Sequence, residues 1–189
     1  DAAFLYQLMV REFGCNNFPD CSNLCHEATS VALPDSIGVG KGTVTLDDFA
    51  VCDALFSFGH NPGTNHPRML STLRELARRG VPIVAVNPLR ERGLQRFISP
   101  QHPAEMLANQ GTPLAEHYYP VRIGGDLAFL KGMMKWLLAE DAIDHAFIAE
   151  HTEGFEALRA DLEATDWAGI EAESGLPRAR IEEAAAIYA

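Results

Sequence analysis

Long apolar stretches are missing from this 189-residue chain: no run approaches the roughly 20 residues a membrane-crossing helix needs. The opening, DAAFLYQLMV, has neither a basic lead nor a cleavage site, so no secretory leader is expected. Cysteine is scarce. Cys15, Cys21, Cys25 and Cys52 are too few for a disulfide scaffold of this length, which points to a reducing cytosol and leaves the periplasm open. Positive charge is also short, with 15 Lys and Arg against 26 Asp and Glu. A net charge of −11 argues against general nucleic-acid binding, which needs an excess of phosphate-neutralising cations. Two common cofactor signatures are missing as well. GVGKG has neither the dinucleotide spacing nor a clear buried strand before it, and no Gly-Lys-Ser/Thr follows GTNHPRM.

What is present is an ordinary globular composition, 47% hydrophobic and 22% charged, long enough for one sizeable core or two small ones. The chain opens without Met and ends at IEEAAAIYA, both in mid-helix pattern, so we expect a single domain over residues 1–189 excised from a longer protein. Charge is uneven: seven of the 15 basic residues lie between Arg68 and Arg96, and Asp141 to Glu183 is strongly acidic. Such runs are either solvated helix faces or, for the basic stretch, the border of an anionic ligand.

Periodicity orders the elements. Ala2 to Phe13 reads as a helix closed by Gly14, and a short helix then carries Cys21, Cys25 and His26 until Pro34 and the glycines of SIGVGKG break it. Ala54 to Gly59 is apolar nearly throughout, as a strand buried on both faces should be. The loop HNPGTNHP leads to a helix from Pro67 to Arg79 with Met69, Leu70, Leu73, Leu76 and Ala77 as its stripe, and Val81 to Pro88 is the second strand. These segments complete a β-loop-α-β unit. A long polar excursion with short helices follows. YYPVRI then reads as a third strand, and Asp126 as the N-cap of a helix over Leu127 to Ala139 whose stripe includes Leu130 and Met134. Further helical patterns run to the end. The fold class is α/β: a doubly wound, Rossmann-like small parallel sheet with helices on both faces. In such sheets ligands bind beyond the carboxyl ends of the strands. There GHNPGTNHP, NPLRER and GGD should meet, which favours a nucleotide-like ligand.

The cysteines leave several readings open. Cys21 and Cys25, four apart, form half a zinc site with no second ligand pair downstream. A disulfide between them on one helix is geometrically awkward. A cysteine nucleophile would have His60, His66, His102 and His117 as candidate bases. The plain reading is a packed Cys21 and a surface His26. Against it, Cys25 lies near a helix start, where exposed N–H groups favour a thiolate, and a thiolate is a soft ligand for a transition metal. His26 beside it can take up a proton near neutral pH.

NNFPDCSNLCHEATSVAL resembles the active-site segment of the dimethyl sulfoxide reductase superfamily, molybdenum and tungsten oxidoreductases that bind bis-molybdopterin guanine dinucleotide, in its formate dehydrogenase-like branch. The resemblance continues in order through SIGVGKG, FSFGHNPGTNHP, VAVNPLRER, VRIGGDLAFLKGM and RIEEAAAIYA, and so covers essentially the whole chain. It implies that Cys25 is the ligand to Mo or W and His26 the adjacent proton acceptor. It further implies that Gly59, Asn61, Thr64, Asn65 and His66 approach the pyrophosphate and ribose of one pterin. Asn87, Pro88 and Arg90 would lie near the guanine end, with Gly124 and Asp126 completing the pocket. The plainer alternatives are turn formation by Asn61 and Asn65 and helix capping by Asp126.

Two departures stand out. Asn87 occupies a position where the family often has Asp, and Glu27 one where a Gly is usual. A carboxylate beside the metal would repel formate, which weakens the case for that substrate. The resemblance also implies missing parts: an N-terminal domain, the only place for an iron–sulfur cluster, and a C-terminal pterin-binding domain. The expected partners are a small-molecule substrate, the rest of the same polypeptide and an electron-transfer partner, with no nucleic acid and no membrane span. The isolated chain is expected to be inactive. The alternatives are an inert nucleotide-binding or interaction module of the same fold, and a cysteine hydrolase.

Overall fold

The computed structural model describes residues 1–18 and 21–189, so Pro19 and Asp20 of the expected CNNFPD loop lie outside it. The chain divides into two compact units, Asp1–Thr45 and Leu46–Ala189.

The first unit is helical: α1 (Ala2–Glu12), α2 (Cys21–Cys25) and α3 (Glu27–Ile37). Gly14, at φ +77°, follows α1 in the left-handed conformation, and its N–H donates to the Arg11 carbonyl at 2.8 Å, as the sequence suggests. The expected single helix through Cys21, Cys25 and His26 is two helices. His26 stands between them with φ −134° and ψ 9°, outside helical space. Pro34 does not end the second one: α3 runs through it and stops at Gly38, which is left-handed. Pro34 has no N–H, so the Ser30 carbonyl loses its usual helical donor.

The second unit begins with a 3₁₀ turn, Asp47–Ala50, and then holds β1 (Leu55–Phe58), α4 (Pro62–Asn65), α5 (Met69–Arg78) and β2 (Ile83–Val86). The excursion contains α6 (Arg92–Gln95), β3 (Arg96–Phe97), α7 (Pro103–Ala108) and β4 (Thr112–Pro113). After it come β5 (His117–Tyr119), α8 (Asp126–Ala139), α9 (His145–His151), α10 (Phe155–Ala164), α11 (Trp167–Ser174) and α12 (Arg178–Tyr188). Strands β1, β2 and β5 pair in parallel in that order, with Leu55 opposite Ile83 and Val86 opposite Tyr119. β3 and β4 form a separate antiparallel pair.

All four residues of β2 are buried, and they alternate between two cores because strand side chains point to opposite faces. Val84 and Val86 join Tyr119, Phe129, Met133, Ile170 and Ile181, drawn largely from α8, α11 and α12. Ile83 and Ala85 join Leu70, Leu73, Leu76, Leu94 and Leu114. The sheet is therefore α/β with packed side chains on both faces. Its strands run in chain order, so these three do not display the reversal that a doubly wound sheet has.

Three local expectations need correction. The third strand ends at Tyr119, before Pro120, which has no N–H to give a ladder. Asp126 is the first helical residue of α8; Gly125 holds the cap position, and no side chain caps that end. Leu130 is exposed, and the buried stripe of α8 is Ala128, Phe129, Gly132, Met133 and Leu137. Gly132 lets α12 and α11 come close: an added Cβ would lie 2.8 Å from Ile181 Cγ2 and 3.0 Å from Ile170 Cγ2.

Candidate functional site

Within the first unit, Cys25 is the last residue of α2 and His26 the N-cap of α3, so the two sit at a helix-to-helix joint. Cys25 is a free, exposed thiol. His26 Nδ1 lies 3.3 Å from Ser30 Oγ, one turn into α3. Its backbone N–H donates to the Ser22 carbonyl at 3.1 Å, which ties the joint to α2. Glu27 opens α3, where a carboxylate is favoured by the exposed N–H groups of the first turn. That placement gives Glu27 a structural use as well as an electrostatic one. Cys21 is exposed, contrary to the packed reading. No group of three or more His, Cys, Asp or Glu that could hold a metal ion occurs among the described residues.

In the second unit, the loops after β1 and β2 are joined at the carboxyl ends of their strands. Asn87 follows β2, is buried, and bridges the two: its Nδ2 donates to the His60 carbonyl at 3.3 Å, and its Oδ1 accepts from the Leu89 N–H at 3.1 Å. The Tyr118 hydroxyl donates to the Asn87 carbonyl at 2.7 Å, which adds β5 to the assembly. Burial raises the Tyr118 pKa and so keeps that donor protonated. Arg90 lies over the Tyr118 ring, 5.5 Å from its centre, and this holds a cation at the rim.

The loop after β1 is fixed from within. Asn61 caps α4, with Oδ1 accepting from the Thr64 N–H at 3.2 Å, so its turn-forming role is real. Its Nδ2 donates to Glu91 Oε2 at 2.8 Å. His60 Nε2 and His66 Nδ1 are 2.8 Å apart. Burial first, then His66, lowers the His60 pKa. Gly59 is left-handed at φ +59°, and a Cβ there would meet nothing within 4 Å.

The third segment is held differently. The Arg122 N–H donates to the Ser174 carbonyl at 2.8 Å, which attaches this loop to the end of α11. Gly124 is left-handed at φ +82° with open space around it. No hydrogen bond joins Gly124 or Asp126 to the other two loops among the described residues. The structure thus brings Asn61, His66, Asn87 and Arg90 into one connected cluster. It leaves Gly124 and Asp126 attached only through the order of the strands.

Beside this cluster, an open groove of about 1140 Å³ is lined by His60, His66 and Arg68 on one side and by Phe97, Ser99 and Gln101 of the excursion on the other. The excursion is pinned to α5 by charge. Glu105 accepts from both Arg74 and Arg78, and its Oε2 accepts from the Ser99 N–H at 3.2 Å. Hydrogen bonding to Arg74 is the main reason that the Glu105 pKa is lowered. Sequence reading missed Glu91, Gly63, Gly93 and Tyr118; these act through contacts some 30 residues apart, for which no local spacing gives a signal.

A small parallel sheet with polar, glycine-bearing loops at its carboxyl ends places the second unit in the α/β class. No family model matches the chain. Its whole length is similar to Protein YdeP of Escherichia coli strain K12, at 57% identity and covering 26% of that protein. Over 84% of its length it is 48% identical to a Mycobacterium tuberculosis H37Rv protein named uncharacterized oxidoreductase Rv2900c, covering 21% of it. Over 93% of its length it is 27% identical to formate dehydrogenase H of E. coli K12, covering 22% of it. Among solved structures it superposes on acetylene hydratase from Pelobacter acetylenicus with a TM-score of 0.69 at 21% identity, covering 91% of this chain and 21% of that one, a likeness of fold. The chain spans about a quarter of the length of the curated relatives it matches. No helix among the described residues is long and apolar enough to cross a membrane.

Proposed function

We propose that this chain is the central, cofactor-binding α/β domain of a molybdopterin-dependent oxidoreductase resembling formate dehydrogenase. The reading is supported by the combination of two features: Cys25-His26 at an exposed joint, and polar loops gathered at one end of a parallel sheet. Similarity to a protein named formate dehydrogenase H over 93% of the chain agrees with it.

The donor set suits bis-molybdopterin guanine dinucleotide. Gly59 and Gly124 leave backbone open for a phosphate-bearing tail, Thr64, Asn65 and His66 offer polar side chains, and Arg90 offers a cation. Asn87 has one amide hydrogen and one oxygen lone pair unspent, enough to meet a base edge beside Pro88. Asp126 would face the same end from the start of α8. When bound, the pterin-held Mo or W supplies two-electron redox chemistry. Cys25 would hold the metal through Sγ as a thiolate, and His26 would accept the substrate proton at a ring nitrogen. Glu27, one residue further on, would disfavour a small anion such as formate. Any iron–sulfur cluster would belong to the remainder of the longer protein, the electron-transfer partner would be a separate one, and the isolated chain would have no turnover.

The test is Cys25→Ser in the full-length protein. The expected result is a loss of activity beyond about 100-fold, the upper end for groups that only support a ligand, with pterin retained. Unchanged turnover would remove Cys25 from the metal. An inert module would instead show no Mo or W on elemental analysis, where the enzyme should carry about one atom per polypeptide.

A further inference from the structure

We propose that Glu91 is a positioning residue: by fixing Asn61, it makes the loops after β1 and β2 one preformed nucleotide cradle. This rests on the nucleotide reading above and assigns a role to a residue of the NPLRER segment that is not among the candidate site residues. Both ends of the Asn61 amide are committed, Oδ1 to the Thr64 N–H at 3.2 Å and Nδ2 to Glu91 Oε2 at 2.8 Å. Turned over, the amide would point its NH₂ at an N–H and its oxygen at a carboxylate. Glu91 therefore sets the orientation of Asn61, and Asn61 sets that of the turn holding Thr64 and Asn65, whose N–H donates to the Asn61 carbonyl at 3.0 Å.

The backbones reinforce the link. A Cβ on Gly93 would lie 2.5 Å from the Gly63 nitrogen, and one on Gly63 would lie 2.9 Å from the Gly93 Cα. Either Cβ would also lie 3.7 Å from Asn61 Oδ1, so the crossing of the two loops and the amide bridge occupy one place. Neither glycine has a positive φ; each is required by the close approach alone. Asn87 to His60 is the other bridge between the same two loops.

Charge separates this role from direct contact. A carboxylate in direct contact with a pyrophosphate would repel it, so Glu91 serves the cradle through Asn61, to which its Oε2 is bonded, and not as a ligand contact of its own.

The experiment is titration of the purified chain with GDP, comparing wild type, Glu91→Ala, Glu91→Gln, Asn61→Asp and the double variant Asn61→Asp with Glu91→Gln. Circular dichroism confirms that each is folded. The amide oxygen introduced by Glu91→Gln can still accept from Asn61, so this variant should stay within about threefold of wild type, while E91A and N61D weaken GDP by about tenfold or more. The double variant reverses the direction of the bond and keeps the pair's charge at −1, so it should recover to within about threefold of wild type. If E91A binds as wild type does, or E91Q binds more tightly, the positioning role is overturned. A double variant as weak as N61D also overturns it, and that arm carries the test if E91A fails to fold. If wild type itself binds no GDP, the nucleotide reading fails, and this role with it.

Discussion

Residues Asp1–Thr45 carry Cys25 and His26 yet bury no side chain among those described, whereas Leu46–Ala189 buries two cores against one three-stranded sheet. Phe13 and Leu24 are each 83% exposed, while Leu73, Val84 and Ile181 are at 0%. Apolar burial is the main favourable term in folding, so the first unit has little of its own to hold it. The residues proposed for chemistry and those that supply stability are thus in different parts of the chain. Activity and folding should respond separately to substitution.

The sharpest way to break that contrast is a matched pair of truncations. Leu73→Ala should cost about 2–5 kcal/mol in denaturant unfolding, as buried leucines do, while Leu24→Ala should stay within about 0.5 kcal/mol. Equal losses would mean that the first unit shares the cooperative core. Gly93→Ala comes next. It forces a Cβ against the Gly63 backbone and should destabilise by about 1–3 kcal/mol in the same assay, as overpacking does. A subtler effect lies in acid. Because the Glu105 pKa is lowered in the folded state, what it contributes is full above the ordinary value near 4.5 and is lost as pH falls through the lowered value. Glu105→Gln should therefore flatten the acid limb of the stability–pH profile of the second unit; an unchanged limb would show that other carboxylates set it. Tyr119→Phe should have the smallest effect. Its hydroxyl is buried, and burial first, then the Glu183 carboxylate beside it, push its pKa up to about 12. Its removal should change stability by no more than about 1 kcal/mol in thermal unfolding.

The sequence exposed the second unit better than the first. β1, β2 and α5 were readable because apolar runs and a 3.6-residue stripe are direct images of burial. The corrections fall where tertiary contacts override local pattern. Gly125 took the cap from Asp126 in a space where even a Cβ would meet the Glu173 carbonyl at 2.7 Å. In the first unit, the break at His26 carries no Gly or Pro to announce it, and Pro34 is accommodated inside α3. For the candidate site, Asn61, Asn87 and Arg90 were found as individual polar loop residues. Glu91, which fixes the Asn61 amide, was not, since its partner is 30 residues away.

The crossing at Gly63 and Gly93 also bears on how such a chain can lengthen over evolution. Two loops in backbone contact leave no slack, so an inserted residue between Gly59 and Gly93 would misalign both at once. Within the excursion, the stretch from Ile98 to Gly111 is tied to α5 by the side chain of Glu105, and its turn at Asn109 faces solvent. Growth, trimming or the grafting of a reporter should be tolerated there, leaving the strand ends untouched.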